Sequence, residues 1–356
     1  MRVPLADLKK QHAPLRAEID RALARVIDSG HFILGPEVDA FEREAAVVGG
    51  AAFAIGMSSG TDALLAALMA LDIGPGDEVI TTGFSFFATV AAVVRLGATP
   101  VICDIGDDLN LDADKALARV TPRTKAILPV SLFGRRAAVD KLAASGVAII
   151  EDAAQAYGAP DVGRGARIAA LSFFPSKNLG ALGDAGGVLT DDAALADKLR
   201  LVRAHGSRPK YHHLIVGGNF RLDALQAALL RVKLPHLAGW NQARRKNAAR
   251  YLEALAGIAD LTLPEPTPDH IWHHFVIRSP RRDALRAFLK DRDIETEVYY
   301  PEPLHLQPCF ANLGGRPGDL PGVEAAARES VAIPVHPELD EDQQAWVIES
   351  VRQFFR

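Results

Sequence analysis

The sequence predicts an α/β protein built on a large, mostly parallel sheet, and three observations carry that prediction. Between about residue 50 and residue 192, short apolar runs alternate with helical patterns. The runs are continuously apolar rather than alternating, as in strands buried on both faces. At 356 residues the chain also exceeds one ordinary core. Two domains are therefore expected: a large α/β domain over 1–235 and a smaller α+β domain over 236–356.

The expected strands, in order, are "AFAIGMSS", "DEVITT", "TPVICDI", "KAILPVSL" and "VAIIEDAA". Between them "GTDALLAALMALDIG", "FATVAAVVRLGA" and "RAAVDKLAASG" read as crossover helices. The first and last end at glycine and the middle one at Gly97-Ala98, where the chain can leave a helix cheaply. Right-handed crossovers follow from this alternation. The stretch 221–257 is a long helical region interrupted at Pro235, the link to the second domain.

Composition narrows the function classes. With 49% hydrophobic and 24% charged residues, the chain is an ordinary globular protein. A net charge of -4 favours neither nucleic acid nor an anionic membrane. Two distant cysteines, Cys103 and Cys309, form no disulfide framework and no paired metal spacing. A reduced, cytoplasmic protein is expected. The start, "MRVPLADLKKQHAPL", carries charges where a signal peptide needs an apolar core, and no run of about 18 apolar residues occurs.

Three stretches and one lysine then point at chemistry. Lys177 lies in "LSFFPSKNLGALGDAGG", with its nearest basic neighbours at Arg167 and Lys198. Such a lysine either lays its stem along the surface or is an amine kept for reaction. In "SSGTDALLAAL", Ser58, Ser59, Gly60 and Thr61 close a strand and open a helix. That is an anion site suited to phosphate, or an ordinary helix cap. In "VAIIEDAAQAYGA", Glu151 and Asp152 follow four apolar residues, so one acid faces the ligand crevice while the other turns away. No basic residue lies between Lys141 and Arg164 to pair with them. In "GFSFFATVAAVV", at least two of Phe84, Phe86 and Phe87 are expected in the core, leaving one ring to meet a flat ligand. A flat, phosphorylated, cationic ring that also wants a lysine meets all four demands: pyridoxal phosphate.

Taken in order, "GHFILGPEVDAFE", "SSGTDALLAAL", "GPGDEVITT", "EDAAQAYGA", "SFFPSKNLGALGDAGG", "GGNFRLDALQAA", "YYPEPLHLQP" and "IPVHPEL" resemble the DegT/DnrJ/EryC1/StrS aminotransferases. These pyridoxal phosphate enzymes aminate nucleotide-linked keto-sugars. The resemblance implies the aspartate aminotransferase-like fold type I. It implies that Lys177 forms the Schiff base and shuttles the proton, and that Asp152 pairs with the pyridinium nitrogen. Gln155 would lie near the ring hydroxyl and Phe86 would stack on the ring. Ser59, Gly60, Thr61 and Ser172 would hold the phosphate. Asn219 would reach the phosphate of a neighbouring subunit's cofactor, in a homodimer with composite sites. A histidine replaces this lysine in the family's sugar 3-dehydratases, so Lys177 favours transamination, with glutamate as the expected donor.

On the substrate side the resemblance points to Tyr300 and His305, although a structural histidine is an equal reading of the latter. Tyr211, His212 and Arg221, in "RPKYHHLIVGGNFRLD", suit a nucleotide diphosphate, or form a solvated loop. The wording "KYHH" is similar to members acting on 3-keto sugars linked to dTDP or UDP. Tyr157 stands where many relatives carry histidine, and Phe32 where tyrosine is common. A cyclitol ketone as substrate and a non-catalytic, cofactor-binding regulatory role remain alternatives. A dinucleotide-binding domain finds no support, because no G-x-G-x-x-G follows the first strand.

Overall fold

The computed structural model describes residues 1–356. Its main sheet has seven strands: β1 (Phe53–Met57), β2 (Glu78–Thr82), β3 (Thr99–Cys103), β4 (Thr124–Leu128), β5 (Ala148–Asp152), β6 (Ile168–Ser172) and β7 (Gly186–Thr190). They lie in the order β1-β7-β6-β5-β4-β2-β3. β7 runs antiparallel to both its neighbours, and the remaining pairings are parallel. The five expected strands are present. β6 and β7 complete the sheet and were not among them.

Neighbouring residues on each strand feed opposite cores, as the period of two requires. Ala54, Ala169, Leu171 and Leu189 join one cluster, which also holds Phe41, Ala45 and Phe173. Ile55, Met57, Ile168, Ala170 and Val188 join another, with Leu64, Leu65 and Leu68. The helix Gly60–Ala70 is apolar nearly all round and is sandwiched under the sheet, which suits a fully buried helix. Each of its buried leucines contributes about 1.5–3 kcal/mol by leaving water.

Pro235 interrupts the long helical region where expected. A helix over Ala224–Lys233 passes through a 3-10 turn at Leu234–His236 into a second helix, Leu237–Ala254. The latter ends against another core, where Tyr251 donates to Pro334 O at 2.8 Å. That core packs the antiparallel pair β8 (Phe275–Arg278) and β9 (Ser330–Ile333) against the helices Arg282–Lys290 and Glu341–Phe355. Val3 also enters it, bridging in parallel to Ile294, so the first residues lie against the C-terminal third of the chain. No helix is long and apolar enough to cross a membrane.

Because β7 alone is reversed, Met57, Asp152 and Ser172 all sit at strand ends on one edge of the sheet. That edge is where an open α/β sheet presents a ligand crevice.

Candidate active site

A cavity of about 580 Å³ opens at this edge, lined by Ser59, Gly60, Thr61, Asp152, Ser172 and Lys177 among others. Four separate segments of sequence therefore converge on one space. Phe86, Gln155 and Tyr300 also line it.

The two acids at the end of β5 part company as expected. Asp152 lines the cavity, whereas Glu151 turns to the other face and is wholly buried. Glu151 accepts from Ser131 Oγ at 2.5 Å and from Gly163 N at 2.7 Å. Asp152 accepts from Thr89 Oγ1 at 2.8 Å and from Ala154 N at 3.2 Å. Burial pushes the Asp152 carboxyl up, while Thr89, the Ala154 N–H and the charge of Lys177 pull it down. Both hydrogen bonds come from neutral donors, so the carboxylate keeps capacity for a cation.

Lys177 closes a tight turn, its N–H donating to Phe174 O at 2.8 Å. Burial lowers its ammonium to about 8, and the charge of Asp152 opposes that shift. An amine in this range is partly unprotonated near neutrality and can act as a nucleophile or proton carrier.

Ser59 caps the helix Gly60–Ala70, accepting from Asp62 N at 3.0 Å. The plain reading of this serine is thus realised, and it coexists with an anion site. Asp62 N is capped and Ala63 N bonds to Ser59 O, which leaves the first-turn donors of Gly60 and Thr61 at the lining. A Cβ on Gly60 would stand 2.8 Å from Ser172 Cβ, so only glycine lets the helix start approach β6.

The phenylalanines need a correction. Only Phe84 enters the core; Phe86 is 58% exposed and Phe87 44% exposed. Phe87 stacks on Phe310 at 5.3 Å instead, while Phe86 stands in the cavity wall, tilted against Tyr300. Gln155 accepts from Phe133 N at 2.6 Å and donates to the Tyr300 hydroxyl at 3.0 Å, which fixes both side chains.

His305 does not line the cavity. It is buried, with Nε2 3.3 Å from Glu324 Oε1 and Nδ1 unpartnered. Tyr211, 82% exposed, and His212 lie on a surface loop away from the cavity. Asn219 is exposed and bridges to Ala204, and Arg221 bridges to Met57 with its Nε unpartnered. One chain therefore does not bring these four residues to its own cavity. Tyr157 is a core residue donating to Ala45 O at 2.9 Å, clear of the site.

Sequence reasoning missed Thr89, His273, His274, Glu297 and Tyr299. Thr89 bonds Asp152, and the other four line the cavity. The run "HIWHHF" was the available signal for the histidines.

The lining fits pyridoxal phosphate. It offers an amine of lowered pKa, a buried acid without a bonded cation, a helix start for phosphate and a half-exposed ring. Residues 14–352 match the DegT/DnrJ/EryC1/StrS aminotransferase family. Among relatives, the dTDP-3-amino-3,4,6-trideoxy-alpha-D-glucose transaminase of Streptomyces venezuelae is 46% identical, covering 99% of this chain and 96% of the relative. The UDP-N-acetyl-3-dehydro-alpha-D-glucosamine 3-aminotransferase of Acidithiobacillus ferrooxidans is 44% identical, with 99% and 97% covered. A pleiotropic regulatory protein of Geobacillus stearothermophilus is 48% identical, with 100% and 99% covered. The crystal structure of Streptomyces venezuelae DesV with a ketimine intermediate superposes with a TM-score of 0.97 at 46% identity, covering 100% of this chain and 99% of that one. With its cavity and its fold in agreement, this chain belongs to the DegT/DnrJ/EryC1/StrS aminotransferase family and is a pyridoxal phosphate-dependent aminotransferase of fold type I.

Proposed function

We propose that the protein aminates a nucleotide-linked keto-sugar, a 3-keto sugar carried on dTDP or UDP, with glutamate as the amino donor. The observation that carries this reading is the meeting of Lys177 and Asp152 in one cavity beside a helix start. Two relatives bear names with the amino or keto position at C3, one on a dTDP sugar and one on a UDP sugar.

Bound pyridoxal phosphate supplies an electrophilic aldehyde and an electron sink. Lys177 holds and moves the proton at Nζ. Asp152 keeps a positive ring nitrogen charged, with Thr89 holding the acid ionised. Gly60 and Thr61, with Ser59 and Ser172, bind the phosphate. Phe86 would pack on the ring, and Gln155 would lie by its hydroxyl. Tyr300 orients the substrate.

A homodimer completes the site. Phe174, Leu182, Leu214 and Val216 are exposed apolar side chains, which a second copy would cover. In that arrangement Asn219 reaches the partner's cofactor phosphate, and Tyr211, His212 and Arg221 serve the partner's nucleotide.

The test is a panel of dTDP- and UDP-linked keto-sugars and an inosose, each with glutamate, scored for amine formation. Amination of a 3-keto nucleotide sugar is expected. Turnover of the inosose alone would move the substrate class to cyclitols. The relative named as a regulatory protein favours one second reading, a cofactor-binding regulator without turnover. Purified protein that is yellow and bleaches with glutamate supports catalysis, and colour indifferent to every amino donor supports the regulator.

A further inference from the structure

The residue after Lys177 fixes the state of a histidine facing the same cavity. Asn178 donates through Nδ2 to Asn241 Oδ1 at 2.7 Å and to Ile271 O at 3.3 Å. A peptide carbonyl can only accept, so the amide orientation is determined and Asn178 Oδ1 is the acceptor. His273 Nδ1 lies 3.0 Å from that oxygen and must therefore carry the proton. The ring is then the Nδ1–H tautomer, and Nε2 bears a lone pair.

Nε2 has no protein partner, yet it is not sealed in the interior, because the ring lines the cavity. The mount is rigid. His273 is 3% exposed, and its carbonyl accepts from Arg244 Nη1 at 3.2 Å. Asn178 and Asn241 are buried beneath it.

We propose that His273 is a positioning residue for Lys177, an acceptor held toward the cavity in which that amine works. Through Asn178, the loop carrying the amine sets the tautomer of a ring whose free Nε2 faces the cavity that the amine also lines. The histidine stays neutral because burial, followed by the charges of His274, Lys177 and Arg244, holds its ring well below the ordinary value. Other ionisable groups at the lining are Asp152, Asp184, Glu297, His274, Tyr299 and Tyr300. A neutral acceptor stabilises the ammonium over the amine, so its loss lowers the lysine's pKa.

The inference rests on Lys177 being the reactive amine, so two variants and two readouts separate the claims. His273→Asn keeps a donor for Asn178 and removes the Nε2 lone pair; His273→Gln keeps a group near Nε2 and removes the donor to Asn178. In the pyridoxamine phosphate form of the holoenzyme, pH-dependent amine labelling read by mass spectrometry gives the Lys177 midpoint. We expect the H273N midpoint to fall about one unit below that of the wild type, and the H273Q midpoint to stay within a few tenths of it. An unmoved midpoint in H273N, or equal shifts in both variants, overturns the proposal. Borohydride reduction of the pyridoxal form locates the cofactor separately; a label on Lys177 in all three proteins upholds the site reading whatever the midpoints do. If H273N fails to fold, selective ¹⁵N labelling of histidine in the wild type decides the matter. An unprotonated Nε2 is expected for His273, and a protonated Nε2 overturns the proposal.

Discussion

Thr89 Oγ1 donates a 2.8 Å hydrogen bond to Asp152 Oδ2, with Ser85 Oγ 2.9 Å behind it. The single Thr89 proton goes to the carboxylate, so Ser85 must donate to Thr89. Thr89, in the first turn of the helix Ala88–Arg95, and Ser85 just before it thus form a chain of hydroxyls aimed at the one acid in the cavity that burial would otherwise neutralise. Thr89→Val keeps the shape and removes the donor. A hydrogen bond to a charge is worth about 1.5–3 kcal/mol, so affinity for pyridoxal phosphate should fall about tenfold or more. Fluorescence titration of the apoenzyme measures it, and unchanged affinity would count against Asp152 as the partner of the ring nitrogen.

A second buried lysine gives a pH prediction. Lys233 is fully buried, donating to Gly180 O at 2.5 Å with His12 Nε2 at 3.1 Å, and burial lowers it to about 8 against the pull of Glu338. Its unfolded value is about 10.4, so above pH 8 the native state has shed a proton that the unfolded chain keeps. Stability from this group is therefore lost as pH falls through 8 and regained as pH rises. Comparing wild type with Lys233→Met cancels groups common to both, including Cys103. The difference in unfolding free energy of the apoenzyme should shift in favour of wild type by about 1.5 kcal/mol from pH 8 to 9.5. Urea melts at each pH measure it, and a flat difference would contradict the lowered value.

Gly186 stands in register with Met57, and a Cβ there would collide with the backbone of Ser59 and Gly60. Gly186→Ala must push the helix start away from the cavity. Cofactor retention on dialysis should drop about tenfold, while secondary structure persists. Retention equal to wild type would remove this helix start from the phosphate site.

Composite sites predict complementation. Lys177→Ala and Asn219→Ala should each be inactive alone. If Asn219 serves the partner's site, a hybrid dimer has one site with both defects and one with none. Refolding the two variants together should restore about a quarter of wild-type activity. No recovery between two inactive variants would place Asn219 at its own chain's site, and an active Asn219→Ala would remove it from the site.

Much of this was legible because the signals were local. Continuous apolar runs marked five strands, and two acids at the end of "VAIIED" marked the crevice. β6 and β7 escaped because "IAALS" is rich in alanine and "GGVLT" opens on two glycines, residues that depress strand propensity. Those glycines serve a tertiary need, the close approach of Gly186 to Ser59, which no local pattern records. The same holds for His273 and His274, which reach the cavity from just before β8, almost a hundred residues after Lys177. The exposure of Phe87 escaped because its stacking partner, Phe310, comes from a 3-10 helix more than two hundred residues away.

The most direct test is the covalent one. Holoenzyme reduced with borohydride, digested and sequenced by mass spectrometry should carry the pyridoxyl group on Lys177 alone. Finding it on another amine, Lys233 included, or finding no adduct in a yellow protein, would contradict the account.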